Sequence, residues 1–597
     1  MVSIQLLDLP DELLGLIVSQ LRNARDTITF GLINKRVWLL VANSPVWRHH
    51  CLSTWSSWDI KHEFHNKLSQ PPLQTDWRSL YLERVQTDRQ AGDLFESLLA
   101  TQQARASRMN ELAILGSDVK DFLIQLWKHT PDDADDVLAR RWHAEAILGL
   151  RGRHQAVKVW SRLRDGEHIE LEDALGAYDE FVLGCAPGVE AMKSSLDAIA
   201  AAIREDIPDF DSLTIRQKAV RISEHLRSKG IVGISDADEY HALRNNFISL
   251  ALTATDENRK GCLPLQSVAI YCAVSRRLGI DARPSNFPRH VHAVVSAPAG
   301  ISLDGESRTD VVNPESETEM MHVDPFRHNE EVAQEDLLAQ LAQIGVPPHR
   351  YAEFLGPANE LEMVLRTGRN ILVSVDGLRM PGDQTPDIED GEQQPDPDAA
   401  KYAALWSLFI QGDSDPVMAT TRRRQATRYL LEKLQNDYPQ DVDMYAETAP
   451  RLLEGLPEHP LVLQLIQRLI ASGRDAKIPV TRPDPDADPV QYRVGTYFEH
   501  KRYGYRGFIV GWNPNCAATA SWITQMRVDD LPRGRDQPFY NIVAADKSSR
   551  YVAEENITPL SDLPLQSLLQ LAGRFFKRWD EGMGRFVSNI QDEYPHD

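Results

Sequence analysis

The sequence predicts a multidomain α+β protein, and three observations lead to this prediction. The chain has 597 residues, and at roughly 100–200 residues per domain it needs several separate cores. Apolar residues at helical spacing dominate the first half of the chain, whereas short strand-like runs appear only later. Two acidic, proline-rich stretches interrupt these patterns. Helices followed by strands within one segment favour the α+β class.

Composition indicates a folded protein of a reducing compartment. Hydrophobic residues make up 42% and charged residues 25% of the chain, which is ordinary for a folded domain. The five cysteines are scattered and odd in number, which argues against a disulfide framework. We find neither an apolar run of about 18 residues nor the basic start of a signal peptide. We therefore expect no membrane association and a location in the cytoplasm and/or nucleus.

The net charge narrows the classes of partner. At −22 the chain as a whole repels phosphate backbones and anionic lipid. Any nucleic-acid site would have to be local. The compact basic run at residues 422–424 is best interpreted as a solvated helix face.

The first 50 residues carry more apolar side chains than so small a unit can bury. Pro10 suits a helix start, and Asp11 and Glu12 favour the positive end of a helix. A helical apolar stripe follows, formed by Leu13, Leu14, Ile17, Val18 and Leu21. The excess of apolar residues suggests a docking face for a partner.

This segment resembles the F-box. The matching residues are 9–13 (LPDEL), 33–38 (INKRVW) and 44–48 (SPVWR). The resemblance implies a three-helix module that docks onto the Skp adaptor of a cullin ubiquitin ligase. The adaptor face is then expected at Leu9, Pro10, Leu13, Leu14, Ile17, Trp38 and Trp47.

Changes of pattern divide the chain into six segments. Helical segments alternate with a mixed segment and with linkers, and the last segment consists of short strands with glycines between them, as in a small barrel. We predict an N-terminal F-box at 1–50, a helical connector at 51–165, an α+β domain at 166–375, a disordered acidic linker at 376–400, a helical extension at 401–480 and a small β-barrel at 488–575.

Cys262 raises the question of a thiol enzyme. The pattern predicts a helix that begins at Pro264 and ends near Gly279. A catalytic thiol gains acidity inside the first turn of a helix, but Cys262 precedes that turn by two residues, or up to roughly 7 Å of chain. Reacting atoms must lie within about 3–3.5 Å of each other, so this displacement disfavours catalysis by Cys262.

Residues 168–345 resemble the SirB-type transglutaminase-like domain. The matching residues are the helix from 263 to 279, the run 286–290 (NFPRH) and the run 323–326 (VDPF). The resemblance implies a Cys-His-Asp triad whose nucleophile position falls on Pro264, while His290 and Asp324 match the other two positions. We expect a retained fold with an inactive or altered site, in which Cys262, His290 and Asp324 are the remnant candidates.

The two histidines of the HVH sequence are also candidate metal ligands. His290 and His292 are predicted to point to the same face of one strand, because strands alternate with period two. With Asp324 they offer three potential metal ligands. A pair of histidines and one acid is common in proteins, so we expect packed histidines, no metal and no cofactor.

The last segment interleaves basic and aromatic residues, as nucleic-acid-binding barrels often do. Residues 499–512, 537–540 and 551–556 resemble the YccV/HspQ family, called the hemimethylated-DNA-binding domain. The same family includes a bacterial factor that delivers proteins to a protease. Residues 490–560 hold 9 Lys and Arg against 7 Asp and Glu, a net of 9 − 7 = +2, which is not a decisive basic face. Client or DNA contacts are expected among Lys501, Arg502, Tyr503, Tyr505, Arg506, Trp512, Gln537, Phe539 and Tyr540, some of them in the core.

Three functions are consistent with these patterns. The order of the segments resembles the F-box-only type with a C-terminal YccV domain, which implies a substrate-recognition subunit of a Skp–cullin–F-box ubiquitin ligase. Such a receptor binds the Skp adaptor, the cullin scaffold and an unidentified protein client, and it raises the effective concentration of client lysines. The alternatives are a thiol enzyme using Cys262, His290 and Asp324, and a DNA- or chromatin-binding protein acting through the YccV-like domain.

Overall fold

The computed structural model describes residues 6–42, 45–184, 188–234, 236–253, 261–307, 318–378, 394–413, 416–482 and 490–597. These residues form two compact units, one drawn from 1–148 and 467–597 and the other from 149–466. Helices, small antiparallel sheets and more than one core confirm the predicted multidomain α+β class. None of the described helices is both long enough and apolar enough to cross a membrane.

The N-terminal part is entirely helical. Its helices are α1 (Asp11–Ser19), α2 (Ala24–Gly31), α3 (Lys35–Ala42), α4 (Val46–Thr54), α5 (Phe64–Ser69), α6 (Trp77–Ala100), α7 (Arg105–Ala113), α8 (Lys120–His129) and α9 (Val137–Arg164). Pro10 lies immediately before α1, and the side chain of Asn23 accepts a hydrogen bond of 2.8 Å from the Asp26 N–H to cap α2. Leu14, Trp47 and other apolar side chains form the core beneath α1–α4.

The second unit contains a four-stranded sheet within a helical shell. Its elements are α10 (Leu171–Leu183), α11 (Val189–Asp206), α12 (Ile215–Ser228), α13 (Ile248–Thr253), α14 (Pro264–Arg277), β1 (Asp281–Pro284), β2 (Ala293–Ser296), β3 (Met320–Val323), β4 (Glu331–Val332), α15 (Gln334–Gln343), α16 (Tyr351–Leu355), α17 (Glu360–Leu378), α18 (Pro397–Gln411), α19 (Pro416–Asn436), α20 (Val442–Leu453) and α21 (His459–Arg474). The strands pair antiparallel in the order β1-β2-β3-β4.

The predicted acidic linker at 376–400 is only partly described. Helix α17 continues to Leu378 and α18 begins at Pro397, so both ends of the expected linker belong to helices. Residues 379–393 lie outside the described residues, as do residues 483–489 of the second proline-rich stretch.

Helix α14 is the buried centre of the second unit. Pro264 occupies its first position, as predicted, because proline lacks the N–H that a first turn leaves unpaired. Every side chain from Pro264 to Ser275 is buried. Gly279 has φ of +80°, and the Ile280 N–H donates to the Ser275 carbonyl at 2.9 Å. This hydrogen bond and the left-handed conformation of Gly279 end the helix, and β1 follows directly.

The C-terminal part adds β5 (Tyr497–His500), β6 (Arg506–Asn513), α22 (Ala520–Gln525), β7 (Phe539–Ala544), β8 (Ser549–Ala553), β9 (Ile557–Pro559), α23 (Gln566–Ala572), β10 (Phe576–Asp580) and β11 (Arg585–Ser588). Five strands form one antiparallel sheet in the order β8-β7-β6-β5-β9, and β10 pairs with β11. The described strand pairs do not close the expected barrel, although only residues 554–556 separate β8 from β9 at the opposite edge of the sheet. The last segment was expected to consist of short strands, but residues 520–525 form a helix, α22, which the Thr519 side chain caps.

The connector helices pack against this C-terminal part within one unit. A Cβ atom placed on Gly573 would lie 2.1 Å from the carbonyl oxygen of Leu138, so only glycine allows this approach of α23 to α9. Thr101 donates a hydrogen bond of 2.6 Å to the Asp592 carboxylate, and Arg105 donates one of 3.2 Å to the Asn589 carbonyl. Segments far apart in sequence therefore share one core.

Candidate functional site

The two histidines of the HVH sequence lie in the connection that leads into β2. The last ladder pair of β1 and β2 joins Pro284 to Ala293. Beyond it, the Ser285 N–H donates to the His292 carbonyl at 2.7 Å, and the His292 N–H donates to Ser285 Oγ at 3.0 Å. The prediction that both histidines sit within a strand was wrong, because the ladder ends at Ala293. The rings nevertheless approach each other, with centroids 5.1 Å apart.

Asp324 follows the end of β3 and binds His290. His290 Nε2 and Asp324 Oδ2 lie 2.8 Å apart. The other carboxylate oxygen, Oδ1, accepts the N–H groups of Phe326 and Arg327 at 3.2 and 3.3 Å. Burial acts to raise the pKa of Asp324, but the hydrogen bond and charge of His290 outweigh it, so this pKa is lowered and the carboxylate stays ionised.

His292 is held in its neutral form. Its side chain is buried, and burial lowers the pKa of the imidazole to about 3 against the smaller opposing effect of Asp324. Nδ1 is buried and has no hydrogen-bond partner among the described residues. One ligand atom from each of His290, His292 and Asp324 lies within 4.8 Å of the others.

Cys262 is not a member of this cluster. It precedes α14, and its N–H donates to the Gly233 carbonyl at 3.0 Å. Its Sγ lies 3.4 Å from Ser267 Oγ. Burial raises the pKa of the Cys262 thiol to about 12, so the nucleophilic thiolate is scarce at neutral pH. Among the described hydrogen bonds, none joins Cys262 to His290.

A cavity of about 320 Å³ opens where α14 begins. Pro264 and Leu265 line one side, while Arg289 and Val291, the two neighbours of His290, line another. The lining residues include no cysteine. They are Tyr240, His241, Leu263, Pro264, Leu265, Arg289, Val291, Arg366, Arg369, Asn370, Val373 and Ser374. The first turn of the helix thus presents a proline to the cavity.

Some of the contact residues expected in the C-terminal domain are exposed, and others are buried. Lys501, Arg502 and Tyr503 are exposed in the turn between β5 and β6, while Tyr505 and Arg506 are half-buried. The remaining four were proposed as contact residues but are buried, and they take part in the core and its hydrogen bonds: Trp512, Gln537, Phe539 and Tyr540. Phe539 and Tyr540 are consecutive residues of β7 and lie in two different apolar clusters, so both faces of this strand are covered.

Carboxylates neutralise much of the positive charge on this sheet. Arg506 pairs with Glu499 at 3.3 Å, and three further arginines are paired in the same way, namely Arg533 with Glu554, Arg535 with Asp529 and Arg550 with Asp546. The guanidinium of Arg550 also lies 4.1 Å from the centre of the Tyr505 ring. This contact cannot be seen in the sequence, since it depends on how distant segments of the sheet come together.

Of the residues expected to contact the adaptor, some are likewise exposed and others are buried. Leu13 and Trp38 are 44% and 45% exposed, Pro10 is exposed, and Leu9 and Ile17 are half-buried. Leu14 and Trp47 were expected on the face but are core residues, and Trp47 Nε1 donates to the Val41 carbonyl at 2.8 Å. Further exposed apolar side chains were missed: Leu16, Ile28, Leu32, Ile33 and Leu39. Their helical spacing was the available signal.

Two family models match the chain. The model described as "Transglutaminase-like superfamily" matches residues 190–369. The model described as "Hemimethylated DNA-binding protein YccV like" matches residues 490–583. The chain therefore contains a transglutaminase-like domain and a YccV-like domain. Both expected domain resemblances are confirmed.

Three curated proteins that match parts of this chain share one name. Proteins named "F-box only protein 21" are 26% identical over 302 residues in Pongo abelii, covering 50% of this chain and 43% of the relative. The relative in Mus musculus is 26% identical over 324 residues, or 54% of this chain and 46% of the relative. A Homo sapiens relative is 46% identical over 76 residues, or 13% and 12%. Each match thus spans less than half of the curated relative. No solved structure matches the chain.

The transglutaminase-like domain departs from a thiol enzyme at one position. It keeps the His290–Asp324 pair in hydrogen-bonding geometry. It presents Pro264 where the resemblance expects the nucleophile, and its nearest sequence substitute, Cys262, is buried with a raised pKa. The arrangement can hold a proton or a ligand at the histidines, but no cysteine of the described part of the chain belongs to the cluster.

Proposed function

We propose that the protein is a substrate-recognition subunit of a Skp–cullin–F-box ubiquitin ligase. In this role the N-terminal helices bind the Skp adaptor, and the transglutaminase-like and YccV-like domains bind a protein client. The chain itself catalyses no reaction and works in the cytoplasm or nucleus. The observation that carries the proposal is the apolar surface of α1–α3.

That surface is not needed to fill the core. Leu14, Val18, Val37 and Val41 are almost fully buried beneath it, yet seven large apolar side chains between residues 13 and 39 remain exposed: Leu13, Leu16, Ile28, Leu32, Ile33, Trp38 and Leu39. Exposed apolar surface of this extent marks an interaction site. The similarity to proteins named F-box only protein 21 supports an adaptor of the Skp class as the partner.

One contact prepares the surface for binding. Arg36 on α3 donates hydrogen bonds to the Asp11 carboxylate at 2.6 Å and to the carbonyl oxygens of Leu7 and Leu9 at 3.0 and 2.8 Å. These bonds fix the segment before α1 against α3. A surface that is ordered before binding loses less conformational entropy when the partner arrives.

The alternative of a thiol enzyme has weaker support. It requires Cys262 to ionise and to meet His290, whereas the thiol is buried and hydrogen-bonded to Ser267. The alternative of a DNA-binding protein requires an unpaired basic face on the YccV-like domain. Ion pairs at Arg506, Arg533 and Arg535 reduce that charge, which favours the turn at Lys501, Arg502 and Tyr503 as a protein-binding site.

Co-purification with the Skp adaptor tests the proposal. Leu32 is 75% exposed and lies within the apolar surface, whereas Leu73 is 81% exposed and lies outside it. Leu32→Asp should therefore weaken adaptor binding by about 2 kcal/mol or more, and Leu73→Asp should leave it unchanged. Both variants should keep the wild-type circular dichroism, because neither side chain is part of the core.

Two outcomes would contradict the proposal. One is the absence of a complex between the wild-type chain and the adaptor at micromolar concentrations. The other is an equal affinity of the Leu32→Asp and Leu73→Asp variants. If the adaptor binds as expected, adding the cullin scaffold and measuring assembly by size-exclusion chromatography tests the next step of the proposed complex.

A further inference from the structure

We propose that His290, His292 and Asp324 bind one divalent transition-metal ion of the zinc class. This site is independent of the proposed adaptor binding. Among the described residues, it is the cluster in which three potential ligand atoms from histidine, cysteine or acidic side chains approach one another, all within 4.8 Å.

The separations are close to those of a bound ion. Ligand atoms about 2.0–2.1 Å from a tetrahedral zinc ion lie about 3.3 Å from each other. His290 Nε2 and Asp324 Oδ2 are 2.8 Å apart, so they need to separate by about half an ångström to admit the ion between them. The ligand atom of His292 lies within 4.8 Å of the other two.

The carboxylate is already oriented for this role. Asp324 Oδ1 accepts two backbone N–H groups, from Phe326 and Arg327, which leaves Oδ2 directed at His290. Hydrogen bonds to the outer atoms of metal ligands fix their orientation and tune their affinity.

His292 supplies a second, independent indication. Its side chain is more than nine-tenths buried, and its Nδ1 has no hydrogen-bond partner among the described residues. Buried imidazole nitrogens are normally satisfied. The neighbouring His322 differs, since its Nε2 lies 2.9 Å from the Leu355 carbonyl oxygen. Imidazole nitrogens are the commonest ligands of transition-metal ions in proteins.

The types of ligand atom indicate which class of metal ion would bind. Two imidazoles and one carboxylate suit zinc, cobalt, nickel or ferrous iron, whereas calcium and magnesium prefer oxygen ligands alone. Three protein ligands leave a coordination position for water or for a group from a bound client. The His290 side chain is 13% exposed, so the cluster is reached from solvent at this residue.

Metal titration of the full chain tests the site. After treatment with a chelator, the protein is titrated with CoCl₂ and followed by visible absorption between about 500 and 650 nm, and with ZnCl₂ by calorimetry. We expect one ion per chain with a saturable cobalt spectrum. Asp324→Asn and His292→Gln should each reduce affinity at least about 10-fold.

His241→Gln is the matched control. His241 belongs to the same domain and is exposed, and it is outside the cluster. Its variant should bind as the wild type does. Zinc should also raise the melting temperature of the wild type and of His241→Gln but not that of Asp324→Asn. Asparagine keeps the shape of the aspartate side chain, so the Asp324→Asn variant is expected to fold. The proposal is overturned if the wild type binds neither ion, or if the cluster variants bind as tightly as the control.

Discussion

Arg153 and Asp441, 288 positions apart in the sequence, form a doubly hydrogen-bonded ion pair inside the second unit. The Nε and Nη2 atoms of Arg153 each lie 2.7 Å from an oxygen of the Asp441 carboxylate. The Tyr402 hydroxyl donates a further hydrogen bond of 3.1 Å to Asp441. Both charged side chains are buried. The pair ties α9 to the helical extension.

Removing one member of this pair should destabilise the second unit strongly. Arg153→Met leaves the Asp441 carboxylate buried without its counterion, which typically costs about 3–5 kcal/mol. Scanning calorimetry should show the transition of this unit at a clearly lower temperature. Arg350→Met is the control, because Arg350 and Glu353 form an exposed pair and such pairs contribute little. Equal melting temperatures for the two variants would show that the buried pair does not stabilise the fold.

Cys262 should resist alkylation in the native protein. Burial raises the pKa of its thiol to about 12, so the fraction of reactive thiolate at pH 7.5 is roughly one part in 10⁴ or less. Cys516 is half-exposed and should react first with iodoacetamide. Mass spectrometry of peptides after timed labelling measures both rates. Rapid modification of Cys262 before Cys516 would revive the interpretation as a thiol enzyme.

Asp179 should make the folded state less stable as the pH rises. Burial raises the pKa of this carboxyl to about 7, although its Oδ1 accepts hydrogen bonds from the N–H and hydroxyl of Ser249. Between about pH 4 and 7 the folded chain keeps a proton that the unfolded chain loses. The free energy of unfolding therefore decreases across this window, by an amount on the order of 4 kcal/mol.

Asp179→Asn isolates this contribution. Asparagine mimics the protonated carboxyl and does not titrate, so the variant should lose the decrease in melting temperature that the wild type shows between pH 5 and 7. Calorimetry of both proteins at half-unit pH steps measures the difference. Parallel pH profiles would mean that the native carboxyl titrates in its usual range.

Gly573, which follows the end of α23, and Gly92, which lies within α6, should respond oppositely to substitution by alanine. Gly573→Ala places a methyl group against the Leu138 carbonyl and should destabilise the first unit. Gly92 lies within α6 and has open space around its Cβ direction, so Gly92→Ala should stabilise the same unit by about 0.5–1 kcal/mol. Thermal unfolding of the two variants gives the comparison. A neutral Gly573→Ala would show that α23 can move away from α9.

Local chemistry made some features predictable from sequence. The start of α14 at Pro264 follows from the missing N–H of proline, and the end of α14 follows from the backbone freedom of Gly279. The joining of His290 to Asp324 was anticipated through the transglutaminase-like resemblance. These features depend on residues next to each other in sequence or on a matched motif.

Other features depend on pairings that one sequence does not display. The burial of Trp512 and Tyr540 follows from which face of each strand meets the core, and an error of one residue in register reverses it. The pairing of β9 with β5 joins segments that are distant in sequence. The unpartnered Nδ1 of His292 depends on which residues of the folded chain surround the ring, and the sequence does not display them.

The division of the chain into units has a consequence for its synthesis on the ribosome. Residues 149–466 are made in one continuous stretch and hold all parts of their own core, whereas residues 1–148 share a core with residues 467–597. At about 5–20 residues per second, the first part of the nascent chain waits on the order of a minute for its packing partners. During this interval the apolar surface of α1–α3 and the uncovered face of the connector helices are available to chaperones. The nascent chain is therefore most prone to aggregate before residues 467–597 have been made. The order of translation, rather than the final fold, sets this period.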